Sequence, residues 1–218
     1  MTRAPRPLPE PPLLVITDRR ASLRPLDDVV AAALAGGCRW FVVREKDLSA
    51  DGQAAIAAAI AAQAAPFGAT VLVAGPAEFA IPVARAAGAA GVHLPRHAGA
   101  GDVAAVRSAL GADILVGQSA HDHGEAERAG AAGADYATLS PIFGSASKPG
   151  YGPAIGLGGL ADVARAVAVP IVALGGIESG GAAAACRTAG AAGVAVMGAV
   201  ARTGDPRGLV AALVDGAG

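Results

Sequence analysis

The stretch P-I-V-A-L-G-G-I-E-S-G-G-A-A-A-A-C-R-T-A-G-A-A-G-V-A-V-M-G, residues 170–198, decides the fold. A short apolar run, Pro170–Leu174, leads through paired glycines into an alanine-rich segment, Gly180–Ala189, that favours helix. Gly190 marks its stop, and a second apolar run follows at Gly193–Met197. Both runs are apolar throughout rather than alternating, as in parallel strands covered by helices. Strand, helix and strand in this order make a right-handed βαβ unit.

Working outward, the same unit recurs along the chain. Further strands are expected at Leu13–Asp18, Trp40–Arg44, Thr70–Ala74, Gly91–Leu94, Asp113–Gln118 and Asp135–Leu139. The intervening helices are expected at Leu26–Ala35, Ala50–Ala65, Glu78–Ala87, Asp102–Leu110, Glu125–Ala132 and Leu157–Ala168, with a last one at Pro206–Val214. Eight such units predict an α/β fold, a single (β/α)₈ TIM barrel over residues 13–218. The 218 residues suit this, because such barrels run from about 200 to more than 400 residues. The alternative, an open doubly wound sheet, lacks a G-x-G-x-x-G after its first strand.

Composition bounds the function. A net charge of −1 with no basic run argues against nucleic acid as a partner. Aromatic residues at 3% offer few stacking platforms, and no apolar run approaches the roughly 18 residues of a membrane span. The proline-rich residues 1–12 have no apolar core of a signal peptide and read as a disordered lead-in, so a cytoplasmic protein is expected. Cys38 and Cys186 have no metal spacing and read as small buried apolar residues.

In a TIM barrel the chemistry sits where strands end. Glycines after the seventh and eighth strands, Gly175-Gly176 and Gly198-Ala199, let backbone approach an anion beside helix N–H donors, which predicts a phosphate site. After the second strand, alternation sends Arg44 and Lys46 to the same face as candidates for a second anionic group. Ser145, Ser147 and Lys148 form an anion-friendly loop after the sixth strand. Ser119 and His121 end the fifth strand, and His121 is the candidate for proton transfer near neutral pH. His93 reads as a structural histidine within its strand, and His97 and His123 as surface residues. No histidine spacing fits a metal, so no metal site is expected.

Eight short motifs at these strand ends resemble the superfamily of thiamine-phosphate synthase and the thiazole tautomerase TenI. They are Val15–Asp18, V-V-R-E-K at Val42–Lys46, G-V-H-L at Gly91–Leu94, G-Q-S-A-H at Gly117–His121, A-D-Y at Ala134–Tyr136, P-I-F-G-S-A-S-K at Pro141–Lys148, A-L-G-G-I at Ala173–Ile177 and G-V-A-V-M at Gly193–Met197. The synthase joins a pyrimidine diphosphate to a thiazole phosphate and releases pyrophosphate with Mg²⁺. The resemblance implies thiazole phosphate at Gly176, Gly198 and Ala199, and pyrophosphate at Arg44, Lys46, Ser145, Ser147 and Lys148. It also implies an expected homodimer.

The chain departs from the synthase pattern where metal is held. Val42 replaces a glutamine, Ala74-Gly75 replace Asn-Asp, and Pro95-Arg96-His97-Ala98 replace a segment with an acidic ligand. Asp18 and Glu45 are acidic residues left at strand ends, away from the matching places. These departures resemble the tautomerase branch, which isomerises a carboxythiazole phosphate without pyrophosphate chemistry and in which His121 matches the proton-transferring histidine. The preferred expectation is therefore a metal-independent tautomerase with no cofactor and a small phosphorylated thiazole as substrate. Synthase activity, with Mg²⁺ as cofactor, is the alternative. A phosphate-ligand binder without chemistry is the third.

Overall fold

The computed structural model describes residues 5–144 and 153–218. Eight strands pair in parallel in chain order, and β1 pairs with β8 to close the barrel. The strands are β1 Leu13–Ile16, β2 Trp40–Val43, β3 Thr70–Ala74, β4 Gly91–Leu94, β5 Leu115–Ala120, β6 Tyr136–Leu139, β7 Ile171–Leu174 and β8 Gly193–Val196. Helices α1 Leu26–Ala35, α2 Ala50–Ala64, α3 Ala77–Ala87, α4 Ala100–Leu110, α5 His123–Ala132, α6 Gly156–Ala166 and α7 Gly180–Thr188 link them in turn. After β8 come a five-residue helix α8, Gly198–Arg202, and α9, Pro206–Ala217. The expected TIM barrel is the observed fold.

The expected elements shift only at their ends. β5 starts two residues later than expected and continues to Ala120, which places Ser119 inside the strand. Several helices begin earlier than the apolar pattern suggests. In α5, for example, Asp122 takes the N-cap and accepts from the Glu125 amide at 2.7 Å.

Strand alternation divides the core in two. Leu13, Val15, Phe41, Val43, Val71, Val73, Val92 and Val116 point outward into one cluster shared with the helices. Leu14, Ile16, Trp40, Val42, Leu72, Leu115, Tyr136 and Val172 fill the barrel interior, with Leu8 packed against them. Trp40 meets Tyr136 edge-on with ring centroids 4.8 Å apart. Cys38 and Cys186 are free thiols buried among apolar groups, and burial pushes them up to about 12 and about 11, so both stay unreactive at neutral pH. Among the described residues no helix is long and apolar enough to cross a membrane.

Residues 5–12, which composition alone reads as disordered, are anchored in the structure. The Arg6 amide donates to Asp135 Oδ1 at 3.1 Å, and its guanidinium donates to Asp113 at 2.8 Å. The Pro12 carbonyl accepts from the Val194 amide, extending the β1–β8 seam. Asp135 collects these elements: its Oδ2 accepts from the Val116 amide at 2.8 Å and from Arg107 at 3.0 Å. Its carboxylate is fully buried, so every acceptor lost leaves a desolvated donor behind. Asp135→Ala is expected to lower unfolding free energy by about 3 kcal/mol, as when one partner of a buried ion pair is removed. Urea denaturation followed by circular dichroism checks this, and a loss within experimental error of zero contradicts it.

Candidate active site

The carboxyl ends of the strands open into a cavity of about 860 Å³. Its wall brings together Arg44, Lys46, Ser119, His121, Gly175, Gly176, Gly198 and Ala199. Every described residue that the sequence assigned to substrate binding or proton transfer thus lies around one space. Ser145, Ser147 and Lys148 lie outside the described residues.

Each wall residue is placed by local chemistry. Arg44 follows β2 in the inward register, so its side chain reaches across the mouth to Met197, with Nη1 3.9 Å from Sδ. Burial pulls its pKa below the ordinary value, while Asp18 and Glu45 oppose that shift. Glu45, one residue on, turns outward and does not line the cavity. Its carboxylate accepts the Arg19 amide at 3.1 Å, and its own amide donates to Gln53 Oε1 at 2.9 Å. Gln53 then donates to the Ala74 carbonyl at 3.1 Å, tying the ends of β2 and β3 together. This buried glutamine in an alanine-rich helix was missed from sequence. Its signal was a lone polar side chain on the apolar side of α2.

His121 is clamped at the end of β5. Its amide donates to Glu125 Oε2 at 2.8 Å, and its Nδ1 lies 2.9 Å from the Ser140 carbonyl. A carbonyl can only accept, so the neutral ring carries its proton on Nδ1 and has Nε2 as its basic nitrogen. The other oxygen of Glu125 accepts from Arg96 at 2.8 Å. One carboxylate therefore holds both the histidine and a cation of the β4–α4 loop.

The glycines have packing reasons as well as room for a ligand. Gly176 sits at φ +70°, and a Cβ there would lie 2.6 Å from Phe143 Cβ. Gly198 opens α8, whose first-turn amides have no acceptor within the helix.

His93 is buried as expected, yet it also lines the cavity. Its Nδ1 is 3.0 Å from the Tyr136 hydroxyl and its Nε2 is 3.0 Å from Ser119 Oγ. Burial, with the Arg44 charge added, pulls its pKa down to about 4, so the ring is neutral at pH 7. His97 and His123 are exposed, and His97 stands at the cavity rim.

Mg²⁺ requires oxygen ligands, usually one or two protein carboxylates in addition to substrate phosphates. Glu178 is the one carboxylate among the described residues lining the cavity, and no cluster of three or more potential ligands occurs among the described residues. Residues 145–152 carry no acidic side chain. Asp18 turns its carboxylate onto the Ala21 amide at 3.2 Å. At the ends of β3 and β4 the wall is Ala74, Gly75, Pro95, Arg96 and His97. With Glu178 as its one carboxylate among the described residues, the mouth offers Mg²⁺ fewer protein oxygens than the two acidic positions that the family resemblance implies.

A closed parallel barrel with a cationic cleft at its carboxyl face belongs to the (β/α)₈ class that hosts enzymes acting on small phosphorylated molecules. Within that class the chain belongs to the thiamine monophosphate synthase family, TMP-TENI, whose pattern matches residues 13–200. It is 40% identical to the thiamine-phosphate synthase of a Roseiflexus species over 91% of this chain and 82% of that protein. It is 41% identical to the thiamine-phosphate synthase of Salinispora tropica, over 93% of this chain and 95% of the relative. The structure of thiamine phosphate pyrophosphorylase from Pyrococcus furiosus superposes with a TM-score of 0.79 at 28% identity, covering 94% of both chains. These names carry the family and the pathway; none of them is a tautomerase.

The neutral, buried His93 has a consequence for acid stability. An unfolded histidine titrates near 6.5, so between about 6.5 and 4 the unfolded chain binds a proton that the native chain refuses. The contribution is fully present above pH 6.5 and is lost as pH falls towards 4, amounting to at most about 3 kcal/mol. Urea midpoints of the wild type should fall more steeply between pH 7 and 4.5 than those of His93→Gln. Parallel slopes would remove His93 as the cause.

Proposed function

We propose that this chain binds a thiazole phosphate bearing a carboxylate and tautomerises it to the aromatic ring without a metal. The observation that carries this reading is the make-up of the mouth: cations and an oriented histidine, with carboxylates missing where a metal would need them. Phosphate docks on the backbone at Gly176, Gly198 and Ala199, where helix amides and φ-permissive glycine suit an anion. Arg44 and Lys46 face the carboxylate. The desolvated guanidinium of Arg44 gains more from an anionic partner there than it would in water.

His121 Nε2 takes a proton from one ring carbon and returns it to a neighbouring carbon on the same face. The reaction is an isomerisation, so atoms and charge balance with no co-reactant. The Nδ1 contact to the Ser140 carbonyl stabilises the imidazolium formed between the two transfers. Should Ser145, Ser147 and Lys148 line the same mouth, they would add donors for the anion.

A second reading, thiamine-phosphate synthase, is favoured by the names of the relatives at about 40% identity. It requires pyrophosphate to leave, and the wall supplies cations for that group but not the carboxylates of a metal site.

Growth of aromatic thiazole absorbance after adding the carboxythiazole phosphate tautomer tests the first reading. His121→Ala should slow that growth by roughly 10²- to 10⁴-fold, the usual contribution of general acid–base catalysis, while phosphate binding by calorimetry stays within error. A variant at full rate removes the assigned role. Pyrophosphate release from pyrimidine diphosphate and thiazole phosphate, abolished by a chelator, would establish the synthase instead. Saturable binding with neither turnover would leave a ligand-binding relative.

A further inference from the structure

We propose that Tyr136 and His93 set the direction of the Ser119 hydroxyl, turning its proton into the cavity, where it favours an oxyanion on the substrate. The proposal deepens the function above, because it names the group that the β5 side of the mouth reads.

The argument starts from the Tyr136 hydroxyl, which is fully buried inside the barrel. Burial pushes its pKa well above the ordinary value, so the phenol keeps its proton at all working pH. Among the described residues its hydrogen-bond partner is His93 Nδ1, at 3.0 Å. The neighbouring Trp40 Nε1 is itself a buried donor without a partner among the described residues, and indole nitrogen cannot accept. If Nδ1 carried the imidazole proton, the phenol oxygen would accept it and the phenol proton would be stranded without an acceptor among the described residues. A stranded buried donor costs its desolvation, about 1–3 kcal/mol. The phenol therefore donates to Nδ1, and the single proton of the neutral ring sits on Nε2.

That proton fixes the next link. Nε2–H donates to Ser119 Oγ at 3.0 Å, so Oγ accepts from within the barrel. Its own hydrogen turns to the cavity that Ser119 lines. A serine hydroxyl ordinarily rotates to serve either donors or acceptors. Here the relay fills one of its two acceptor sites and turns its hydrogen away from the barrel. The group it favours is one that only accepts, such as a carboxylate or phosphate oxygen. An amino or imino donor at the same place has only the remaining lone pair of Oγ and must turn the hydroxyl proton elsewhere. The lone pair of His93 on Nδ1 is buried against Tyr136, so the polarity persists as long as the ring stays neutral.

Tyr136 never touches a ligand and His93 acts through Ser119, which makes both positioning residues. Long-range ¹H–¹⁵N correlation spectra of the uniformly labelled protein at pH 7 read the His93 tautomer directly. The Nε2–H form is expected. An Nδ1–H form, or an equal mixture, overturns the relay whatever the substrate proves to be. Calorimetry with the carboxythiazole phosphate supplies the functional arm. Ser119→Ala and His93→Leu should each weaken binding about tenfold, the scale of one hydrogen bond to a charged group. His93→Gln can keep the polarity, its carbonyl accepting from Tyr136 and its amide donating to Ser119, and should bind within about threefold of wild type. Equal losses in the Gln and Leu variants, or no loss in either, overturn the proposal. Failure of the wild type to bind this ligand would count against the proposed function, while the tautomer spectrum still decides the relay.

Discussion

Closure of the sheet is the constraint on which everything else rests. β1 pairs with β2 on one side and β8 on the other, so Leu14 lies opposite Trp40 and Ala195 together. In a closed parallel barrel no edge remains, and the inward register of every strand is fixed by its neighbours. A one-residue slip in any strand would move its apolar set to the wrong face. The same register carries past each strand end, and it is what turns Arg44 and Lys46 into the mouth and Glu45 away from it. The site is thus a continuation of the core pattern into polar residues.

The fold was legible because its signal is repeated. Alanine-rich helices, stop glycines and short β-branched runs state the same unit eight times, and no single ambiguous segment could overturn the count. The strand-end residues were legible for a related reason: polar groups interrupt an apolar pattern at predictable places, and the barrel gathers all such places on one face. What stayed hidden was the bracing. Gln53 to Ala74, Glu125 to both Arg96 and His121, and Asp135 to Arg6 join residues between 4 and 129 positions apart. No local period announces such pairs. His93 shows the limit well. Its burial followed from its place in a strand, but its bond to Ser119 depends on β4 and β5 lying side by side in one particular register. Composition gave no sign of the contacts made by residues 5–12, because prolines do not reveal that a buried carboxylate at Asp135 is there to receive the Arg6 amide.

Several residues serve two ends at once, which complicates any reading from residue type alone. Gly176 suits an approaching anion, and it is equally demanded by Phe143 packed beneath it. Glu125 gives its amide to the Asp122 cap while its carboxylate ties a loop cation to the histidine. Arg44 is pulled out of water by the same walls that make an anion welcome beside it. Such overlap lets the frame of the thiamine monophosphate synthase family and the make-up of its mouth be set by neighbouring residues. The frame and the chemistry are written on neighbouring residues, but in different strands.

The ring of Tyr136 occupies the space where a side chain at Gly117 would stand, its Cζ overlapping a Cβ built there. These two positions, opposite each other on β5 and β6, share one volume. Neither can be redesigned alone: a larger residue at 117 demands a smaller one at 136, and with the phenol would go the end of the buried chain that reaches Ser119. Diversifying the specificity of this barrel therefore means drawing both codons from the same library.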